Sequence, residues 1–168
     1  MNKLLFEKKL YDTFFIYIND ITTEFNTVCG FALTIDSDFS IISPAFDLEE
    51  NYIDNYNNDP SDYIYYRWSP GEWSYELYKS SIFNEVNFLL SELNKNYDDS
   101  SIFKNDIIDC ISNVYNKLRI NNVVSKNTIL SFTITDTDEY EYEYELKVIY
   151  SGNRKKDYEQ FYKWVLEL

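Results

Sequence analysis

Two long amphipathic stretches, each followed by a run of β-forming residues, constrain the fold of this chain more than any other feature of its sequence. In residues 3–24 and again in residues 101–119, apolar side chains recur at the spacing that places them on one face of a helix. The runs that follow, 28–35 and 128–135, are rich in apolar and β-branched residues and predict strands. Such helices need a sheet or other helices to cover their apolar face, so the pattern predicts mixed α and β structure.

The remaining segments complete an α+β prediction. These segments predict a second hairpin strand at 39–42, a long surface loop with one helical turn at 47–62, a strand at 63–68, a helix at 70–95 and a helix after Asn153. The alternating Tyr and Glu residues at 139–150 favour a strand, and a helix is the alternative for this segment. We therefore expect one domain over residues 1–168, with a mainly antiparallel sheet of about four to five strands and about four helices.

Chain length and cysteine usage indicate a fold that needs neither a disulfide nor a bound metal for its stability. A chain of 168 residues with 45% hydrophobic residues can bury a core of its own. Cys29 and Cys110 are far apart in apolar stretches, which predicts neither a disulfide nor a zinc site. No apolar run approaches the length that a membrane-spanning helix needs, and charged residues interrupt the first dozen positions, which argues against a signal peptide. We therefore expect a cytoplasmic protein with no membrane partner.

The charge of the chain is strongly negative and unevenly distributed. The formal net charge is −14, and residues 10–66 hold eleven acids but no lysine or arginine. A surface of this sign repels nucleic acid, so no nucleic-acid partner is expected. It attracts cationic proteins and raises their association rates. Solubility alone is the other explanation of an acidic composition.

Two acidic segments are candidate sites for binding a basic partner protein. One is the predicted loop and the other is the glutamate face of the predicted strand at 139–150, where like charges repel one another until a cationic partner docks. A solvated surface is the alternative for both. The candidate partner-binding residues are Glu49, Glu50, Asp54, Asp59, Asp62, Glu139, Glu141, Glu143 and Glu145.

The absence of histidine restricts the chemistry that the chain can perform. It excludes Ser-His-Asp and Cys-His sites and histidine-dependent metal sites. The sequence also has no glycine-rich phosphate loop and no GxSxG motif, so no cofactor is expected and no catalytic residue can be assigned. A pair of carboxylates of the glycosidase kind stays open. The Asp-x-Asp pairs at 36–38 and 136–138 predict turns rather than calcium sites.

The most distinctive stretch is YRWSPGEWSYE, residues 66–76. Trp, Tyr and Arg are common in binding hot spots, so the stretch could form a recognition pocket. We favour a structural corner instead, with Trp68 and Trp73 buried, Arg67 paired to a carboxylate, and Ser69 capping a helix. The residues assigned to this structural motif are Arg67, Trp68, Pro70, Glu72, Trp73, Tyr75 and Glu76.

The same stretch resembles the signature of the bacterial DUF4303 family. Further features agree in order: the strand-like GFALTID at 30–36, Ser43-Pro44-Ala45 followed by Glu49 and Glu50, and the strand-like FTITD at 132–136. The resemblance spans nearly the whole chain. The regular Tyr/Glu repeat at 139–145 departs from the family pattern.

The resemblance implies a function in binding rather than in catalysis. Members of the family look like the small acidic proteins encoded beside polymorphic toxins, which implies immunity to a secreted toxin. We therefore expect a protein that neutralises a cognate toxin, or another basic protein, by covering its active surface. The alternatives are a carboxylate-dependent hydrolase and an adaptor with no toxin partner.

Overall fold

The predicted N-terminal helix is confirmed. In the computed structural model, which describes residues 2–135 and 142–167, helix α1 spans Lys3–Glu24. The Asn2 side chain accepts a hydrogen bond from the Leu4 amide at 2.9 Å and so caps the helix. The elements that follow are β1 (Val28–Asp36), β2 (Ile42–Leu48), α2 (Glu49–Asn58), α3 (Tyr63–Trp68), β3 (Tyr75–Glu76), α4 (Asn84–Asn94), α5 (Ser100–Ile120), β4 (Ile129–Thr135), α6 (Tyr142–Gly152) and α7 (Lys155–Glu167).

The four described strands form a mixed sheet in the order β3-β2-β1-β4. β1 pairs antiparallel with β2 in a hairpin, whereas β4 pairs parallel to β1, with Gly30 opposite Ile129 and Asp36 opposite Thr135. The mixed α and β class is confirmed. Two of the three strand pairings are antiparallel, but the pairing of β4 with β1 is parallel, so the sheet is mixed rather than purely antiparallel. The described residues form seven α-helices rather than about four. The chain leaves the hairpin, crosses over through α2 to α5, and enters β4 in the direction of β1.

Three predicted segments have a different secondary structure. The predicted loop at 47–62 contains helix α2, and the predicted strand at 63–68 is helix α3. From Tyr142 onward the predicted Tyr/Glu strand is helix α6, which packs between α5 and β4 and buries Val148, Ile149 and Gly152. Tertiary packing therefore overrides the period-two pattern.

Two other elements are shorter than predicted, because turns occupy part of the predicted strand or helix. β2 begins at Ile42 rather than at Phe39, since the Asp36 carboxylate holds a turn by accepting from the Ser40 and Ile41 amides. In the segment 70–95 the helix is confined to α4, after the short strand β3 and 3-10 turns at Pro70–Glu72 and Ser80–Phe83.

One face of the sheet packs against α1 and α5. Tyr115 of α5 is fully buried there, and its hydroxyl accepts from the Leu33 amide at 2.9 Å and donates to the Ser131 carbonyl at 2.5 Å. The hydroxyl therefore bridges the parallel strands β1 and β4. Tyr17 of α1 is equally buried, but its hydroxyl has no hydrogen-bond partner among the described residues.

The opposite face of the sheet carries small residues under the aromatic motif. A Cβ placed on Gly30 would lie 3.0 Å from the Trp73 ring, so the indole packs directly on the β1 backbone. Gly152 of helix α6 is enclosed in the same way, since a Cβ there would lie 3.0 Å from both Leu130 and Tyr115. At both positions a larger residue would force its neighbours to shift.

Asparagine side chains cover the outer backbone of β2 and β4. Asn87 bonds both the amide and the carbonyl of Ile42, and Asn153 does the same at Leu130. Each amide imitates the backbone of a missing neighbouring strand. This arrangement leaves less unpaired backbone for association with another chain.

We predict that Tyr115→Phe lowers the free energy of unfolding by about 1–3 kcal/mol, because two buried backbone groups lose their partner. Tyr17→Phe is the matched control and should leave stability unchanged or higher, since its hydroxyl is buried without a partner. Urea unfolding of both variants measures the difference. Equal losses in the two variants would contradict the bridging role.

We predict that Trp73→Ala costs about 3–5 kcal/mol of stability, because a buried indole is removed. Gly30→Ala should also destabilise, whereas the double variant should lose less than the sum, since the added methyl group then occupies space vacated by the ring. Gly71→Ala is the control, because its Cβ meets only Glu76 Oε1 at 3.5 Å. Additive losses at positions 30 and 73 would show that the two residues do not pack together.

Candidate partner-binding surface

The acids of the predicted loop lie on one continuous segment formed by α2 and the 3-10 turn Pro60–Asp62. None of the residues of α2 is fully buried. Within residues 2–135 and 142–167, no lysine or arginine lies within ion-pair distance of these acids. We call this set the α2 acidic surface: Glu49, Glu50, Asp54, Asp59 and Asp62.

Several bases of the chain are paired with acids in other places. Lys3 binds Asp106 at 2.7 Å and Lys79 binds Glu24 at 2.7 Å. Further pairs join Lys9 to Glu85, Lys117 to Glu7, Lys147 to Asp109 and Arg154 to Asp157. Within residues 2–135 and 142–167, the acids of the α2 acidic surface are therefore not paired with any base and give this surface a negative potential.

Helix geometry favours carboxylates at the start of α2. Glu49 and Glu50 occupy the first turn, where the helix dipole stabilises negative charge, and Leu48 supplies no side-chain cap. The Glu49 amide also donates to the Thr27 carbonyl at 2.8 Å, which joins the helix start to the segment before β1. Asp59 is half-buried and caps the following turn, accepting from the Ser61 hydroxyl at 2.6 Å. This surface therefore has a defined conformation.

Apolar side chains lie among these acids. Ile53 and Tyr56 of α2 are 46% and 45% exposed, and Tyr65 of α3 is 37% exposed. Ile53 follows Glu49 by four residues, so the two share one ridge of the helix. Exposed aromatic and aliphatic groups surrounded by charge are typical of interface centres. Sequence reasoning missed Ile53 and Tyr56 because it treated the segment as a loop.

The predicted glutamate face is not formed by the described residues. In helix α6, Glu143 and Glu145 are separated by about 200° around the axis, so they do not share a face. Glu145 instead accepts from the Thr133 hydroxyl at 2.7 Å and from the Ile134 amide at 2.9 Å. Glu143 is exposed, and Glu139 and Glu141 lie outside the described residues.

A buried carboxylate connects the α2 acidic surface to the sheet. Asp47, at the end of β2, is 2% exposed. Its Oδ1 accepts from the Ser74 amide at 3.0 Å, the Ser74 hydroxyl at 2.9 Å and the Asn51 side chain at 2.8 Å. Asn51 also donates to the Glu72 carbonyl at 3.1 Å. We call this arrangement the Asp47 hub, because it joins β2, α2 and the aromatic motif.

The predicted burial of the two tryptophans of the aromatic motif is confirmed. Trp68 and Trp73 are buried, and Trp73 Nε1 donates to the Tyr66 carbonyl at 3.1 Å. Trp68 packs on Phe161 of α7 with ring centroids 5.1 Å apart. Around them, Pro70 is buried, Tyr75 stacks on Phe46 at 4.6 Å, Glu72 accepts from the Tyr65 hydroxyl at 2.9 Å, and Glu76 is exposed.

Two details of the motif differ from prediction. The Ser69 side chain makes no cap hydrogen bond, so the predicted helix cap is wrong. Arg67 forms no carboxylate pair among the described residues, and its Nε is buried without a hydrogen-bond partner. The guanidinium carbon instead lies 5.4 Å from the centre of the Tyr52 ring. A cation–π contact therefore joins α3 to α2.

The titratable groups give little sign of a reactive centre. Burial raises the pKa of the Cys29 thiol to about 12, so the thiol stays protonated near neutral pH. Burial acts to raise the pKa of Glu7, but hydrogen bonds from Lys117 and Asn113 lower it overall. A lysine hydrogen bond likewise lowers the pKa of Glu24 and of Asp106. The pKa shifts of Glu7, Glu24 and Asp106 are thus all downward, and each carboxylate is stabilised by a hydrogen bond from a lysine.

Residues 2–135 and 142–167 contain no group of three or more Cys, Asp or Glu side chains that could hold a metal ion. Asp36 acts in a turn, as its Asp-x-Asp pattern predicted, whereas Asp136 and Asp138 lie outside the described residues. No described helix is both long enough and apolar enough to cross a membrane.

Comparison with known proteins assigns a family. No curated protein and no solved structure matches the chain. The family model DUF4303, described as a domain of unknown function, matches residues 17–154. The matched range contains the Asp47 hub, the α2 acidic surface and the aromatic motif. The chain therefore belongs to the DUF4303 family.

Proposed function

We propose that this protein binds a cationic partner protein through the α2 acidic surface. The observation that carries the proposal is that five acids, which have no ion pair to a base among the described residues, lie on the same segment as the exposed side chains of Ile53 and Tyr56. The partner class that the family resemblance implies is a secreted toxin. In that case the protein acts as an immunity protein and covers the active surface of the toxin.

The chemistry of the surface suits fast and specific association. Charges at the edge of an interface act mainly on the association rate, because they steer the partner before contact. Apolar and aromatic groups at the centre act mainly on the dissociation rate, because water must re-enter when they separate. The α2 acidic surface has both kinds of group side by side.

The Asp47 hub supports the proposal by fixing the helix in advance. A binding segment that is already ordered loses less conformational entropy when the complex forms. Asn51 and Tyr52 attach α2 to the rest of the protein through the Asp47 carboxylate and the Arg67 guanidinium. The charged side chains of Glu49, Glu50 and Asp54 form no ion pair with any other described residue and can bind a partner.

The two alternative functions make different demands. A carboxylate-dependent hydrolase needs an acid whose pKa is raised and a second whose pKa is not. Among the described residues the resolved carboxyl shifts are all downward, which gives that alternative no support. An adaptor could use the same acidic surface, but its partner would not be toxic.

The toxin assignment is tested by expressing the product of the adjacent gene alone and together with this protein. We expect that product to arrest growth when expressed alone, to lose that effect when this protein is co-expressed, and to co-purify with it. A product that binds but is harmless would favour the adaptor. A product that is neither toxic nor bound would rule out the immunity role.

We predict that the triple variant Glu49→Gln, Glu50→Gln, Asp54→Asn lowers the association rate with this partner about ten-fold at low salt. Stability should change little, because the lost interactions with the helix dipole are offset by relief of the repulsion between Glu50 and Asp54. Stopped-flow kinetics at two salt concentrations measure the rate, and the difference should shrink as salt screens the charges.

A charge-matched control separates local steering from net charge. Asp20→Asn, Asp98→Asn and Glu167→Gln remove the same formal charge from exposed positions outside α2. We expect this control to keep most of the wild-type rate. Equal rates in the two triple variants would contradict a specific role of the α2 acidic surface.

A further inference from the structure

The face of the sheet opposite α1 and α5, here called the second face, is covered along only part of its length. Trp73 lies on Gly30, and the Trp68 carbonyl accepts from the buried Ser131 hydroxyl at 2.6 Å. Beyond these contacts, towards Thr34 and Ser43, the face opens into a cleft of about 300 Å³. Its floor consists of small and hydroxyl-bearing side chains from three strands.

Two exposed apolar side chains form walls of this cleft. Ile41 is 54% exposed and Leu77 is 58% exposed. Leu77 has φ of 57°, a left-handed conformation that is unfavourable for a bulky residue, and its amide donates to the Pro44 carbonyl at 3.1 Å. Such strain persists where the surrounding structure imposes it, and it is common at ligand clamps. The backbone therefore fixes an apolar side chain at the mouth of the cleft.

The charge of the cleft is negative only. Asp36 and Glu76 line it, and none of its lining residues is a lysine or arginine. The Asp36 oxygens are occupied by the Ser40 hydroxyl and by backbone amides. The backbone of Glu76 pairs with β2, but its carboxylate has neither a hydrogen bond nor an ion pair to any residue in the described ranges. Its carboxylate is therefore free to bind a cation.

We propose that this cleft is a socket for one lysine or arginine side chain of the partner protein. These side chains have an apolar stem that packs on hydrophobic surface and a cationic head that stays near water or a carboxylate. Here the stem packs between Ile41 and Leu77, and the head pairs with Glu76. The hydroxyls of Thr34 and Ser43 supply further acceptors for its donors.

The proposal rests on the proposed function and specifies one contact of the same partner. Residues 43, 45 and 47 of β2 alternate onto one face of the sheet, so the socket and the Asp47 hub share that face. The three-residue separation of Pro44 and Asp47 corresponds to about 10 Å along the strand. A partner that covers α2 can therefore reach the socket as well.

The probe for this test is N-acetyl-lysine methylamide, followed by two-dimensional NMR of the full chain. We expect saturable, millimolar binding, with amide shifts concentrated at Thr34, Ser43 and Leu77. N-acetyl-norleucine methylamide has the same stem without the ammonium group and should bind several-fold more weakly. Equal binding of the two compounds would overturn the proposal, because the site would then be a simple apolar pocket.

Three variants complete the test. Glu76→Gln should weaken binding of the lysine probe about two- to five-fold, the range of a part-exposed ion pair. Leu77→Gly should weaken it while keeping the fold, since glycine adopts positive φ without strain. Asp38→Asn, an exposed acid in the adjacent turn, should have no effect. Equal effects of Glu76→Gln and Asp38→Asn would overturn the socket.

Different outcomes contradict the socket and the proposed function. The Glu49, Glu50, Asp54 triple variant should leave binding of the lysine probe unchanged, because none of these residues lines the cleft. Probe shifts that map to α2 and disappear in this variant would overturn the socket but leave the acidic surface as the binding site. Loss of partner steering with intact probe binding would support both.

Discussion

The hydrogen-bonded carboxylate of Asp47 is the interaction on which the candidate surface depends. A buried carboxylate is costly unless donors replace its water, and here the donors come from Asn51 and Ser74 rather than from a cation. Because the donors belong to α2 and to the aromatic motif, satisfying one charge fixes two segments on the sheet. A helix with no fully buried residue is thereby kept in place without a hydrophobic face of its own.

The second face of the sheet is packed at one end and open at the other. At one end Trp73 packs on the backbone of Gly30, and this contact closes the core. At the other end the short strand β3 stops at Glu76, and the cleft beside Leu77 is left open. The aromatic motif therefore contributes to both regions: its indoles are buried, and its last acid faces solvent.

Much of the core and the five acids of the α2 acidic surface could be predicted from sequence, whereas the helix that holds these acids could not. Helices α1 and α5 and strands β1 and β4 bury regular apolar patterns, so period and composition locate them. Helix α2 shows no such pattern, because side-chain hydrogen bonds and the Tyr52 ring hold it instead. In α6 the regular Tyr/Glu alternation predicts a strand, but Glu145 reaches back to the β4 backbone and packing selects a helix. Long-range contacts of this kind leave no local signal.

Hydrogen exchange in two Asp47 variants tests most directly whether the hub holds the acidic surface. Asp47→Ala removes the acceptor of Asn51 and Ser74, so the account predicts faster exchange of the amides of Glu49–Asn58 and Ser74 with continued protection in β1 and β4. Asp47→Asn keeps an oxygen at the Oδ1 position and should retain most of the protection. Unchanged exchange of α2 in Asp47→Ala would contradict the account, as would equal loss of protection throughout the sheet.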